Sequence, residues 1–133
     1  MIYVDTSVVL AELLAEDRRP GDHFWQQTLV SSRLLEYEVW TRVHARKLAR
    51  SHSEAARALV GRVALLELVS PVVTRALEPF PTPVRTLDAL HLASAEFLRE
   101  RQPDIRLATY DSRQATAAEA MGIAVYGLEA DES

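Results

Sequence analysis

The chain has no cysteine, so neither a disulfide nor a thiolate zinc site can contribute to it. It has no apolar run of about 18 residues, the length that a membrane-spanning helix needs. It has no excess of positive charge: 15 basic residues against 19 acidic ones give a formal net charge of −4. That balance excludes a protein held on nucleic acid by bulk electrostatics alone. It leaves open an enzyme that grips a few phosphates through a local basic patch and a cation. Lysine is nearly absent as well, with Lys47 the single example, so the cationic groups are almost all guanidinium. No internal repeat or low-complexity segment is visible. The one stiff connector, Pro79-Phe80-Pro81-Thr82-Pro83, is too short for a domain linker. The start, Met1-Ile2-Tyr3-Val4-Asp5, carries no basic leader or cleavage site, which makes the cytoplasm the expected location.

What is present reads as an ordinary globular composition: 133 residues, 48% hydrophobic and 26% charged. That length suits a single domain over 1–133, with an acidic tail at 129–133 expected to fray. Short apolar runs alternate with segments of helical period. The pattern predicts a strand at 2–4, a helix at 7–16 stopped by Pro20-Gly21, a short helix near 22–28 and an apolar run at Leu29-Val30. A long helix is expected over 34–50. A capping box at Ser51-His52-Ser53-Glu54 would open another helix, to about 65. A strand at 66–69 follows, then a short helix with Pro71 in its first turn. The remaining expectations are a helix at 86–101, a strand at 105–110, a helix at 112–121 stopped by Gly122, and a strand at 123–126. Strands separated by helices imply a three-layer α/β/α sandwich around a parallel sheet of four to five strands. Ligands of such sheets bind at the carboxyl ends of the strands, where Asp5 and Asp111 fall.

Four acids carry the functional reading: Asp5, Glu38, Asp88 and Asp111. Each has an ordinary structural role open to it. Asp5 and Asp111 can cap helices, the latter with Gln114 in an acidic variant of the capping box. Asp88 can serve the dipole of its helix, and Glu38 can pair with Arg42 one turn on. Their neighbours weaken that account, because Val8-Val9-Leu10, Ala89-Leu90 and Val39-Trp40 belong to a core, and acids are rarely buried unpartnered. Carboxylates brought together resist ionising together, and a hard cation with oxygen ligands relieves them.

In order along the chain, Ile2-Tyr3-Val4-Asp5-Thr6-Ser7, Ser31-Ser32-Arg33-Leu34-Leu35-Glu36-Tyr37-Glu38-Val39, Thr86-Leu87-Asp88-Ala89-Leu90-His91-Leu92-Ala93-Ser94-Ala95 and Leu107-Ala108-Thr109-Tyr110-Asp111 resemble the four motifs of PIN-domain proteins. The spacing from the small residues and leucine selects Glu38 over Glu36. Within the family the chain is most similar to VapC-type ribonuclease toxins of type II toxin–antitoxin pairs. The resemblance implies a Mg2+-dependent endoribonuclease, with Mn2+ able to substitute and one or two ions bound. It implies Asp5, Glu38, Asp88 and Asp111 as the catalytic, metal-binding acids, with Asp5 and Asp88 first among direct ligands. It also implies Thr6 and Thr109 as orienting hydroxyls, a homodimer, and a small VapB-type antitoxin that covers the acidic groove. RNA is the substrate so implied.

Arg42, Arg46 and Arg50 repeat every four residues from Glu38 along the expected helix, a stripe that begins at the acids and is the expected RNA-facing patch, against the ordinary reading of a solvated face. His91, set between leucines, reads as a packed or hydrogen-bonded histidine rather than a ligand. Trp25 and Trp40 read as packing residues rather than base platforms. A housekeeping RNA-processing nuclease without antitoxin, and a non-catalytic binding module on the same fold, are the alternatives. A phosphatase with an aspartate nucleophile after the first strand fits poorly, because Ser7 stands where a second aspartate is wanted.

Overall fold

A computed structural model describes residues 1–131. Five strands, β1 (Ile2–Val4), β2 (Leu29–Ser32), β3 (Ala64–Leu66), β4 (Arg106–Ala108) and β5 (Ala124–Val125), form one sheet in the order β3-β2-β1-β4-β5. All four pairings are parallel. The helices are α1 (Thr6–Leu13), α2 (Asp22–Trp25), α3 (Leu34–Ala45), α4 (Ala49–Val60), α5 (Ser70–Ala76), α6 (Thr86–Arg99) and α7 (Ser112–Ala120). This is the expected α/β/α sandwich.

The central strand shows how the layers arise. Side chains of a strand alternate between faces. Ile2 and Val4 pack into a core with Val8, Val9, Leu35, Val39 and Val60 from α1, α3 and α4. Tyr3 points the other way, into a second core with Leu92, Ala95, Ala117 and Ala118 from α6 and α7. All three β1 residues are fully buried. Burial on both faces explains why β1 reads as an unbroken apolar run, as parallel strands do.

Several boundaries differ from those expected, and one motif accounts for two of them. α1 ends at Leu13, well before Pro20-Gly21: Ala15 takes φ 51°, its N–H donates to Glu12 O, and Glu16 N–H donates to Ala11 O. The expected helix over 34–50 divides in the same way. Lys47 takes φ 57°, its N–H donates to His44 O and Leu48 N–H donates to Val43 O. These paired bonds are Schellman closures, with alanine and lysine in the left-handed position that glycine usually fills. Continuing α3 would turn Lys47 inward after Val43; the break brings Leu48 against the core instead. α4 therefore starts at Ala49, and the Ser51–Glu54 capping box does not form; Ser51 Oγ donates back to Leu48 O at 3.3 Å. β3 lies at Ala64–Leu66 rather than 66–69, since Val30 pairs with Ala64 and Ser32 with Leu66. Gly122, at φ 79°, stops α7 as expected. A 3-10 turn covers Leu128–Asp131, and Glu132 and Ser133, the end of the expected frayed tail, lie outside the described residues.

Candidate active site

β1 and β4 lie side by side, and their connections run to opposite faces, so the crevice at their carboxyl ends is the switch point of the sheet. The register sets what projects there. Val4 pairs with Ala108, and Asp5 N–H donates to Ala108 O at 2.9 Å. Asp5 and Thr109 thus leave the sheet as neighbours. Asp5 occupies the N-cap of α1, yet its carboxylate makes no capping bond. Its Oδ2 accepts from Ser7 Oγ at 2.7 Å and from Thr109 Oγ1 at 2.8 Å. The same two hydroxyls accept backbone N–H groups of the β4 loop, Tyr110 to Ser7 and Asp111 to Thr109, each at 3.0 Å. Asp5 is 6% exposed, and a carboxylate this deep is fixed by those two donors. Ser7 is the site residue that the motif reading passed over; its signal was only its place two residues after Asp5.

Glu38 comes from α3. It is not paired with Arg42 among the described residues. Its Oε1 accepts from Thr6 Oγ1 at 2.7 Å and meets His91 Nε2 at 2.6 Å. His91 in turn meets the Tyr3 hydroxyl through Nδ1 at 2.7 Å. The hydrogen-bonded reading of His91 therefore holds, in a chain that joins β1, α1, α3 and α6. Burial opposes charge on the imidazole, but Tyr3 and the Glu38 and Asp5 carboxylates outweigh it, and the pKa is raised to about 10.

Asp88 stands in the first turn of α6, and its backbone oxygen accepts from Gln114 Nε2 at 3.3 Å. Burial raises the pKa of its carboxyl above the ordinary carboxylate value, and the negative charges of Asp5 and Asp111 raise it further. Asp111 caps α7, accepting from Arg113 N–H at 2.9 Å; Gln114 turns to Asp88 instead of closing the capping box.

All four acids line one cleft of about 530 Å³. Leu10, Leu34, Tyr37, Thr41, Arg42 and Leu87 also line it. Of the three arginines of the expected stripe, Arg42 lines the cleft; Arg46 caps the end of α3 and Arg50 belongs to α4, beyond the break at Lys47. Trp25 and Trp40 pack against the core, and Trp25 Nε1 donates to Glu12 at 3.0 Å.

The donor set is all oxygen, which suits a hard cation. Among the described residues no three acidic or imidazole groups converge closely enough to form a ready-made cage. An ion such as Mg2+ that keeps several waters fits an open set of this kind, and the repulsion felt by Asp88 from Asp5 and Asp111 is what a cation relieves.

A family profile described as PIN domain matches residues 2–120. Ribonuclease VapC35 of Mycobacterium tuberculosis is 31% identical over 131 residues, covering 94% of this chain and 95% of its own length. Ribonuclease VapC46 of the same species is 33% identical over 128 residues, 93% of this chain and 95% of its own length. Ribonuclease VapC47 is 30% identical over 129 residues, 92% and 93% of the two chains.

Proposed function

This chain belongs to the PIN-domain family, and from that membership and the acidic cleft we propose that it is a metal-dependent endoribonuclease, the toxin of a toxin–antitoxin pair. The observation that carries the reading is the meeting of Asp5, Glu38, Asp88 and Asp111 in one cleft at the switch point of the sheet. The names of the relatives, all ribonucleases of the VapC series, favour the toxin over a housekeeping nuclease.

Asp5, Asp88 and Asp111 would hold Mg2+, with Glu38 beside them. The cation, when bound, lowers the pKa of water and offsets charge at a phosphodiester. The chain's own residues do the rest. Ser7 and Thr109 occupy Oδ2 of Asp5, so the carboxylate cannot swing toward the amides at the start of α1. Thr6 and His91 occupy Oε1 of Glu38, which leaves Oε2 as the oxygen for the cleft. Glu38 is then placed to orient an attacking water, while Arg42 answers a phosphate on the α3 side. RNA is the substrate proposed. A VapB-type antitoxin that sets a basic side chain among the acids is the proposed inhibitor. A homodimer is favoured by the apolar recess of Val73, Leu77, Pro79 and Phe80, where Leu77 is 84% exposed.

The test is cleavage of RNA with and without Mg2+ by the parent protein and by Asp5→Asn and Asp88→Asn. Both variants are expected to lose Mg2+-dependent cleavage and to keep the circular dichroism spectrum. Undiminished cleavage by both would sink the reading.

A further inference from the structure

Tyr37 stands apart from the other aromatic side chains of the chain. Phe24, Trp25 and Tyr126 pack ring against ring, and the Tyr3 ring meets that of His91. Trp40, Tyr110, Phe80 and Phe97 lie beneath Arg57, Arg18, Arg75 and Arg101. Among the described residues, Tyr37 alone of the aromatics has no ring, guanidinium or hydrogen-bond partner, and it is 67% exposed.

Its position ties that exposure to the site. Tyr37 lines the acidic cleft, one residue before Glu38 on α3. Leu87 lines the same cleft, one residue before Asp88 on α6, and is 44% exposed. The other exposed large apolar side chains, Met1, Val73 and Leu77, lie outside the cleft. Leu34, a turn before Tyr37, and Thr41, a turn after it, continue the lining along α3. The cleft therefore joins a cluster of carboxylates to an apolar strip that ends in an unpartnered ring.

We infer that Tyr37 and Leu87 form a nucleobase subsite, in which the base of a nucleotide beside the scissile phosphate stacks on the Tyr37 ring. The inference rests on the ribonuclease reading and deepens it. A cation needs oxygen ligands and no apolar strip. A volume of about 530 Å³ is that of a small-molecule site, more than an ion requires. A phosphodiester held at the acids brings a ribose and a base with it, and single-stranded RNA is bound through unstacked bases on aromatic faces. Two exposed side chains are too few for a protein interface of about 800 Å² per partner, but they suit one planar base. Stacking also answers the charge of the chain. A net charge of −4 gives RNA no general attraction, and contact with the face of a base does not depend on one.

Binding without cleavage tests this. A fluorescein-labelled single-stranded RNA is titrated, over a series of salt concentrations, into Asp5→Asn protein and into the same protein carrying Tyr37→Ala, Tyr37→Phe, Tyr37→Leu or Leu87→Ala. Tyr37→Ala is expected to weaken Kd by about tenfold or more. The salt slope should stay where it is, because stacking releases no counterions. Tyr37→Phe should bind as the Asp5→Asn protein does, and Tyr37→Leu, apolar but without a π-face, should recover only a small part of the loss. Leu87→Ala should weaken Kd by a smaller factor, again at constant slope. In otherwise unaltered enzyme Tyr37→Ala should raise KM more than it lowers kcat and leave the Mg2+ concentration for half-maximal cleavage unmoved. A shift in that concentration would mean that the variant acts through Glu38, and a flattened salt slope that it acts on a phosphate contact; either overturns the subsite. An unchanged Kd in Tyr37→Ala, with cleavage still abolished by Asp5→Asn, overturns the subsite and leaves the ribonuclease reading standing. A parent protein that neither binds nor cleaves RNA overturns both. A Tyr37→Ala variant that binds RNA normally but loses self-association or a protein partner assigns the strip to that contact and overturns the inference.

Discussion

His91 Nε2 lies 2.6 Å from Glu38 Oε1, and His91 stands on α6 one turn beyond Asp88. With its pKa raised to about 10, the imidazole is charged at neutral pH, and both ring nitrogens donate. One proton goes to Glu38 and the other to the Tyr3 oxygen. The ring therefore ties α3 to α6 at the level of the site and fixes the span between two of the four acids. Removing it frees one side of the cleft from the other.

His91→Ala is expected to lower stability by about 2–3 kcal/mol, less than the ~3–5 of a fully buried pair because Glu38 is still 24% exposed. Cleavage should fall further than that loss accounts for, since Glu38 would be held by Thr6 alone. His91→Gln keeps a donor near Glu38 and should recover part of both. Denaturant unfolding and single-turnover cleavage, read side by side, check this. Wild-type stability and cleavage in His91→Ala would mean that Thr6 suffices.

Asp88 leads to a prediction of the opposite sign. Its pKa is raised by burial and then by Asp5 and Asp111, so its ionised form costs the folded chain stability. The folded state binds the proton more tightly than the unfolded state does. The stability gained from this group is therefore full below the unfolded carboxylate value and is lost as pH rises through the raised folded value. Asp88→Asn removes the repulsion. In metal-free protein the variant should melt higher than the parent at pH 7, and the difference should shrink as the pH is lowered toward the ordinary carboxylate range. Added Mg2+ should raise the parent's melting temperature and leave the variant's nearly unmoved. A variant less stable than the parent at pH 7 in chelator would show that repulsion is not what Asp88 bears.

The legibility of these features follows from the range of the forces behind them. The layers, the parallel sheet and the placement of Asp5 and Asp111 could be read because strand and helix periods are local and β1 is apolar on both faces. The ends of α1 and α3 could not. Both close through left-handed residues that are not glycine, and only the core contact of Leu48 decides the second one. The site divides likewise. Motif order brought the four acids together, but the partners of Asp5, Glu38 and Gln114 are set by tertiary neighbours. The carboxylate of Asp5 turns from its cap because Thr109 reaches it from 104 residues away. The pairing of Glu38 with Arg42 loses to a buried histidine 53 residues on.

The break at Lys47 also redistributes the basic stripe, and this gives the last prediction. Arg42, Arg46 and Arg50 would share a face only on one continuous helix. As built, Arg42 lines the acidic cleft, while Arg46 lies in the turn and Arg50 on the next helix. Exposed guanidiniums away from the strand give RNA no specific contact, so their loss is nearly neutral. Arg42→Ala, in the Asp5→Asn background, is expected to make the salt dependence of RNA binding shallower by roughly 0.7. Arg46→Ala and Arg50→Ala should leave the slope within error. Anisotropy titrations across a salt series distinguish the cases. If Arg46→Ala flattens the slope as much as Arg42→Ala, the strand reaches past the cleft to the turn that ends α3, and the neutral reading of Arg46 is wrong.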